Sequence, residues 1–261
     1  MPNDFENVAA GPADFLSRSV PLRGMERPAP GEIHTWFLDL NEMAGSLKAA
    51  LDDPGMPTKS KPFTFGQLTF TRRFFLRLLL GAYLGIPGKE IRISRNRKGK
   101  PVLDPAVHGR KLHFSIAKSG PGFLVGLSSS SYVGVDVEPV DRRAHNALGV
   151  AKRYFSEDEA AALASMEPSN LGPAFLRTWA CKEAVVKSLG LGIANQLCRF
   201  TVETDPDRPT AVLNFEGDRP EAWWLKLIQP SEAYLGAIAT RSEPQEIKAF
   251  RMLPAVLGEK R

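Results

Sequence analysis

Gly134-Val135-Asp136-Val137-Glu138, followed further on by Trp179-Ala-Cys-Lys182-Glu183-Ala-Val-Val-Lys187, constrains this chain more than any other feature. Successive side chains on a strand point to opposite faces. Asp136 and Glu138 therefore share one face, and Val135 and Val137 share the other. The second run reads as a helix on which Glu183 and Lys187, at i and i+4, share a face. Three carboxylates converging from two rigid elements make a hard-cation site suited to Mg²⁺, whose shell is completed by water and substrate phosphate oxygens. A lysine at the edge of that cluster can hold the same phosphates as a point charge. Plainer readings stay open at this point: a solvated sheet face for Asp136 and Glu138, and a helix-surface ion pair for Glu183 and Lys187.

The rest of the chain supplies the frame. Residues 1–30 carry Pro2, Pro12, Pro21, Pro28 and Pro30 with little periodicity, which predicts a loose arm. Ile33 to Leu40 reads as a strand with Trp36, Leu38 and Leu40 on one face. A Pro- and Lys-bearing loop covers 52–62. Gln67 to Leu84 is a helix ended by Gly85 and Pro87. Short strands are expected near 111–116, 123–128 and 132–138. A helix follows Phe155, with Ser156 at its N-cap and Glu159 at N3 in a capping box, unless Glu159 serves near the metal instead. Leu171 to Leu189 is the second long helix, stopped by Gly190 and Gly192. Strands recur near 199–203, 210–215, 223–228, 234–239 and 247–252. The fold class is α+β, with a long helix and several short strands in each of two stretches. We divide these into an N-terminal half at 31–132, a C-terminal half at 133–252 and a tail at 253–261.

A formal net charge of +5 favours anionic partners. Residues 89–100 hold Lys89, Arg92, Arg95, Arg97, Lys98 and Lys100 but no aromatic. With no recognised nucleic-acid-binding module, they do not suggest a nucleic-acid partner. Cys181 and Cys198 have no metal-ligand spacing, which suits a reducing compartment. His34, His108, His113 and His145 form no zinc pattern. The N-terminus lacks the features of a signal peptide, and the apolar stretch from Phe74 to Ile86 is too short to span a bilayer. A cytoplasmic protein with no membrane partner is the expectation.

Both leading motifs resemble the paired signatures of the 4′-phosphopantetheinyl transferase superfamily, Gly-[Ile/Val]-Asp-[Ile/Val]-Glu and Trp-x-x-Lys-Glu-[Ala/Ser]-x-x-Lys. Arg153-Tyr-Phe-Ser156-Glu-Asp-Glu159 and Gly99-Lys100-Pro101 are similar to two further family segments. The length and segment order are like the larger, surfactin-synthetase-activating class. The resemblance implies two related halves in one chain, a pseudo-two-fold, each a small and mostly antiparallel sheet packed on a long helix, and one chain per site, hence a monomer. It also implies the activity: the phosphopantetheine arm of coenzyme A moves to a serine of an apo acyl or peptidyl carrier protein, and adenosine 3′,5′-bisphosphate leaves.

By the same resemblance, Asp136, Glu138 and Glu183 hold Mg²⁺, with Asp136, Glu183 and Lys187 catalytic and Glu183 a candidate general base. Arg73, Lys100, Pro101, Ser115, Lys118, Ser119, Asp136 and Lys187 contact coenzyme A. One segment departs from the pattern. Where the family has Asn-x-Ser-His-Ser, this chain has Ser115-Ile116-Ala117-Lys118-Ser119. A serine hydroxyl is lost at Ala117, and Lys118 replaces a histidine with a group that does not titrate near neutrality. The alternative is therefore a non-catalytic relative that binds coenzyme A or a carrier without transfer.

Overall fold

The computed structural model describes residues 9–43, 64–110, 112–130, 132–142, 146–190 and 195–254. The 52–62 loop, the first eight residues of the arm, Gly192, His145 and residues 255–261 of the tail lie outside them. Twelve strands are described: β1 (Leu16–Ser19), β2 (Glu32–Asp39), β3 (Ile93–Arg95), β4 (Pro101–Leu103), β5 (His113–Ser119), β6 (Gly122–Ser128), β7 (Val133–Pro139), β8 (Phe200–Val202), β9 (Val212–Phe215), β10 (Trp224–Ser231), β11 (Tyr234–Thr240) and β12 (Glu246–Leu253). The longer helices are α1 (Phe65–Leu84), α2 (Ala147–Tyr154), α3 (Glu157–Ala164) and α4 (Pro168–Leu189).

Two sheets carry the fold. One runs β1-β12-β2-β6-β5 and the other β10-β11-β7, while β3 with β4 and β8 with β9 form two-stranded hairpins. The first sheet is mixed: β12 pairs in parallel with both β1 and β2, and the remaining pairs are antiparallel. Strand parity explains the stacking. Trp36 and Leu38 of β2 face one way and pack with Phe75, Leu79, Leu80 and Tyr83 of α1. Ile33 and Phe37 face the other way and meet Val133, Val135 and Val137 of β7 with Ile238 of β11. The outer face of the second sheet, through Leu235, Ala237 and Ala239, packs on Ala180, Ala184 and Val185 of α4. The layers are thus α1, sheet, sheet, α4. Because β2 is covered on both sides, its side chains are nearly all buried and its alternation is not one of apolar with polar.

The two long helices end alike. Gly85 and Gly190 both adopt the left-handed conformation, with φ of 69° and 68°, which glycine enters without steric cost. The structure adds α2 and the β3–β4 hairpin, which the expected frame lacked, and it differs in two strands as well. Leu16–Ser19, inside the arm, is an edge strand on β12. And β12, expected in the C-terminal half, lies in the sheet of the N-terminal one. Pairing across such a sequence distance leaves no local periodicity for a sequence to display.

Candidate functional site

Strand β7 puts its valines into the core between the sheets, which turns Gly134, Asp136 and Glu138 toward α4. Gly134 has no alternative there, since a Cβ would collide with the Ala184 carbonyl oxygen and the Ser188 backbone. With the helix this close, Lys187 Nζ reaches Asp136 Oδ1 at 2.6 Å and Glu183 Oε2 at 3.1 Å. The helix–strand crossing therefore brings together Asp136, Glu183 and Lys187. Glu138 lies at the same edge, where Ser119 Oγ donates to its Oε2 at 2.5 Å and Arg142 Nη1 pairs with its Oε1.

The electrostatics follow from burial. Asp136 is 3% exposed, and desolvation pushes its carboxyl up to about 8. The Lys187 ammonium opposes that rise, while Glu183 and Glu138 add to it. Burial lowers Lys187, but Asp136 and Glu183 more than compensate and hold its ammonium above the usual range. Asp136 Oδ2 is buried and has no hydrogen-bond partner. A lone buried carboxylate oxygen is costly unless something else binds it, so the donor chemistry suits an oxygen-seeking divalent ion. As the side chains stand, however, no group of three His, Cys, Asp or Glu among the described residues could hold a metal. In the same arrangement Lys187 bridges Asp136 and Glu183, while Arg142 and Ser119 occupy both oxygens of Glu138.

The other expected ligands scatter. Arg73 and Pro101 line a groove of about 1260 Å³ between α1 and the β3–β4 hairpin, together with Arg77, Lys89 and Arg95. Ser119 reaches the carboxylates, but Ser115 is buried and accepts a hydrogen bond from Val135 N, tying β5 to β7. Ala117 lies in the core between the sheets, and Lys118 is exposed on the opposite face of β5. Lys100 donates to the carbonyls of Lys187 (2.7 Å) and Val133 (3.0 Å), so in this conformation its ammonium fastens the end of α4 to the start of β7. Burial, aided by Lys187, lowers it to about 8.

Two residues, Lys182 and Arg142, were given no role by sequence reasoning. Lys182 is fully buried and holds both oxygens of Glu159, at 2.7 and 2.6 Å, and the Phe200 carbonyl at 2.6 Å. Glu159 also closes the capping box with Ser156. Its partners are therefore structural, and the expected role near a metal is not among its contacts. Lys182 sits within the Trp-x-x-Lys-Glu motif, so its signal was present without its partner. Arg142 gave none, because its i,i+4 spacing to Glu138 runs off the end of a strand, where no helix puts the two on one face. Trp179 lies beneath it, with the guanidinium carbon 5.7 Å from the ring centroid.

Comparison with known proteins bears on this site directly. Residues 132–239, which hold the carboxylates, Lys182 and Lys187, match the family model described as the 4′-phosphopantetheinyl transferase superfamily. The chain is 27% identical over 215 residues to the 4′-phosphopantetheinyl transferase HetI of Nostoc sp. strain PCC 7120, covering 80% of this chain and 87% of that protein. It is 28% identical over 176 residues to the 4′-phosphopantetheinyl transferase psf-1 of Bacillus pumilus, covering 66% and 70% of the two chains. To the 4′-phosphopantetheinyl transferase ffp of Bacillus subtilis it is 31% identical over 123 residues, covering 47% and 52%.

Proposed function

We propose that this chain, whose residues 132–239 match the 4′-phosphopantetheinyl transferase superfamily, transfers the phosphopantetheine arm of coenzyme A to a serine hydroxyl of an apo acyl or peptidyl carrier protein. The observation that carries this reading is the meeting of Asp136, Glu183 and Lys187 at one helix–strand crossing, beside an unpartnered carboxylate oxygen.

The chemistry is attack of a weak nucleophile on a highly anionic pyrophosphate, so positioning and charge neutralisation dominate. The carrier serine oxygen forms a bond to the phosphorus on the pantetheine side. The bond from that phosphorus to the bridging oxygen breaks, and adenosine 3′,5′-bisphosphate leaves. Glu183, whose side chain is 11% exposed, takes the serine proton as general base in this proposal. Lys187 exchanges Asp136 for a phosphate oxygen, a move its flexible stem and point charge allow. Arg73 and its cationic neighbours in the groove suit the remaining phosphate of coenzyme A. Asp136, Glu138 and Glu183 are the residues that would hold Mg²⁺, which supplies charge neutralisation for the phosphates. One chain acting alone, in the cytoplasm and without nucleic acid or membrane, completes the proposal. No helix among the described residues is long and apolar enough to cross a membrane.

Incubating the protein with Mg²⁺, coenzyme A and a panel of apo carrier domains, followed by intact mass, tests the reading. One phosphopantetheine gained per carrier, and none with Glu183→Gln, is the expected result. No gain on any carrier while coenzyme A still binds would favour the non-catalytic alternative, with Ala117 and Lys118 the first suspects.

A further inference from the structure

We infer that Arg142 is a cation gate on Glu138: its guanidinium holds the carboxylate that a divalent ion needs, and it must swing away before that ion is bound. The inference rests on the transferase reading of the site. Its starting point is an asymmetry between the two strand carboxylates. Asp136 keeps one buried oxygen with no partner. Glu138 has neither oxygen free, because Arg142 takes one and Ser119 the other. Lys187 holds the other Asp136 oxygen, so the strand carboxylates differ in that Asp136 keeps one oxygen unpartnered and Glu138, with Arg142 on it, keeps none.

Arg142 is suited to leaving. Its side chain is 45% exposed, against 7% for Glu138, so the guanidinium can return to water while the carboxylate cannot. It lies just past the end of β7, where its backbone N–H donates to the Pro139 carbonyl at 3.1 Å, a bond that a swing of the side chain alone leaves in place. Trp179 offers it a ring face already in contact, which a planar guanidinium can stack on after releasing the carboxylate. While it stays, Arg142 and Lys187 offset negative charge packed at the edge of α4. A ligand that needs a minor conformation binds with its affinity reduced by the fraction of molecules in that conformation. An arginine pair exposed on one side contributes little, so the reduction is about five-fold rather than orders of magnitude.

The test uses Mn²⁺ as a paramagnetic probe. Titrations of the full chain, with no coenzyme A or carrier, are followed by the electron-spin-resonance signal of free Mn²⁺. Arg142→Gln is expected to bind Mn²⁺ about five-fold more tightly than wild type. Arg142→Lys, which keeps the charge but loses the fork and the ring contact, should fall between. The gain must disappear in Arg142→Gln combined with Glu138→Gln, because the gate acts only through that carboxylate. Equal or weaker Mn²⁺ binding by Arg142→Gln, a gain that survives loss of Glu138, or no Mn²⁺ bound by any variant would each overturn the gate. The carrier mass assay, run on the same preparations, separates the two failures. Wild-type transfer without a gain in affinity sinks the gate alone. A gain in affinity without transfer to any carrier sinks the transferase reading and leaves the gate standing.

Discussion

Lys182 and Glu183 are neighbours in sequence with opposite work. Glu183 turns to the partly open cluster, and Lys182 turns inward to a fully buried carboxylate. Removing one member of a buried pair leaves the other charged and without compensation, which costs about 3–5 kcal/mol. Lys182→Met should therefore lower the unfolding free energy by that order through the stranded Glu159, measured as a shift in urea midpoint. Glu183→Gln should abolish transfer and leave the midpoint nearly unmoved. Equal midpoints for wild type and Lys182→Met would refute the structural role. The same contrast explains what the sequence disclosed at this scale. Asp136, Glu183 and Lys187 were legible because strand and helix periodicities fix which faces their side chains share. Lys100 was legible as a cation near the ligand but not as one whose ammonium lies on two carbonyls. Arg142 was not legible, since its i,i+4 spacing to Glu138 falls outside any helix and so predicts no shared face.

Among the elements, the distance between β7 and α4 decides whether the site exists, and Gly134 sets that distance. The atoms a Cβ would meet are backbone, so no side-chain rotation relieves the clash. Overpacking of this kind costs about 1–3 kcal/mol. Gly134→Ala is expected to destabilise at the upper end of that range and to lose transfer, because a displaced α4 separates Lys187 from Asp136. Full transfer with only a stability loss would show that the site tolerates a displaced α4. Most elements could be read from the chain: α1 and α4 from their apolar length and glycine stops, and β5 to β7 and β8 to β12 from short apolar runs. Their partners could not. Nothing local in Glu246–Leu253 says that it inserts between β1 and β2 in parallel, and the exposed Leu16–Ser19 has too little pattern to announce a strand.

For the molecule as a whole, the division at 132/133 runs through the core between the sheets. Val133, Val135 and Val137 bury against Phe37 and Leu124 of the other sheet, and β12 closes the chain back beside β2. Calorimetry should then show a single unfolding transition, with van't Hoff and calorimetric enthalpies equal; two resolved transitions would mean that the halves fold independently. The buried polar network on the far side of the first sheet gives this cooperative unit an acid dependence. His34 Nδ1 lies 2.7 Å from Tyr83 Oη, which also accepts from Trp36 Nε1 at 2.8 Å. Burial lowers the His34 pKa below its ordinary 6.5; Glu32 pulls it back and Lys248 lowers it further. A folded value below the unfolded one means that the unfolded chain takes up the proton first as pH falls. The contribution of His34 is therefore complete above about 6.5 and is lost as pH drops through that value toward the folded pKa. His34→Gln has no ring to titrate, so its stability deficit against wild type should shrink between about pH 7.5 and 5. Urea midpoints of both proteins across that window measure it, and parallel curves would show that His34 does not titrate with unfolding.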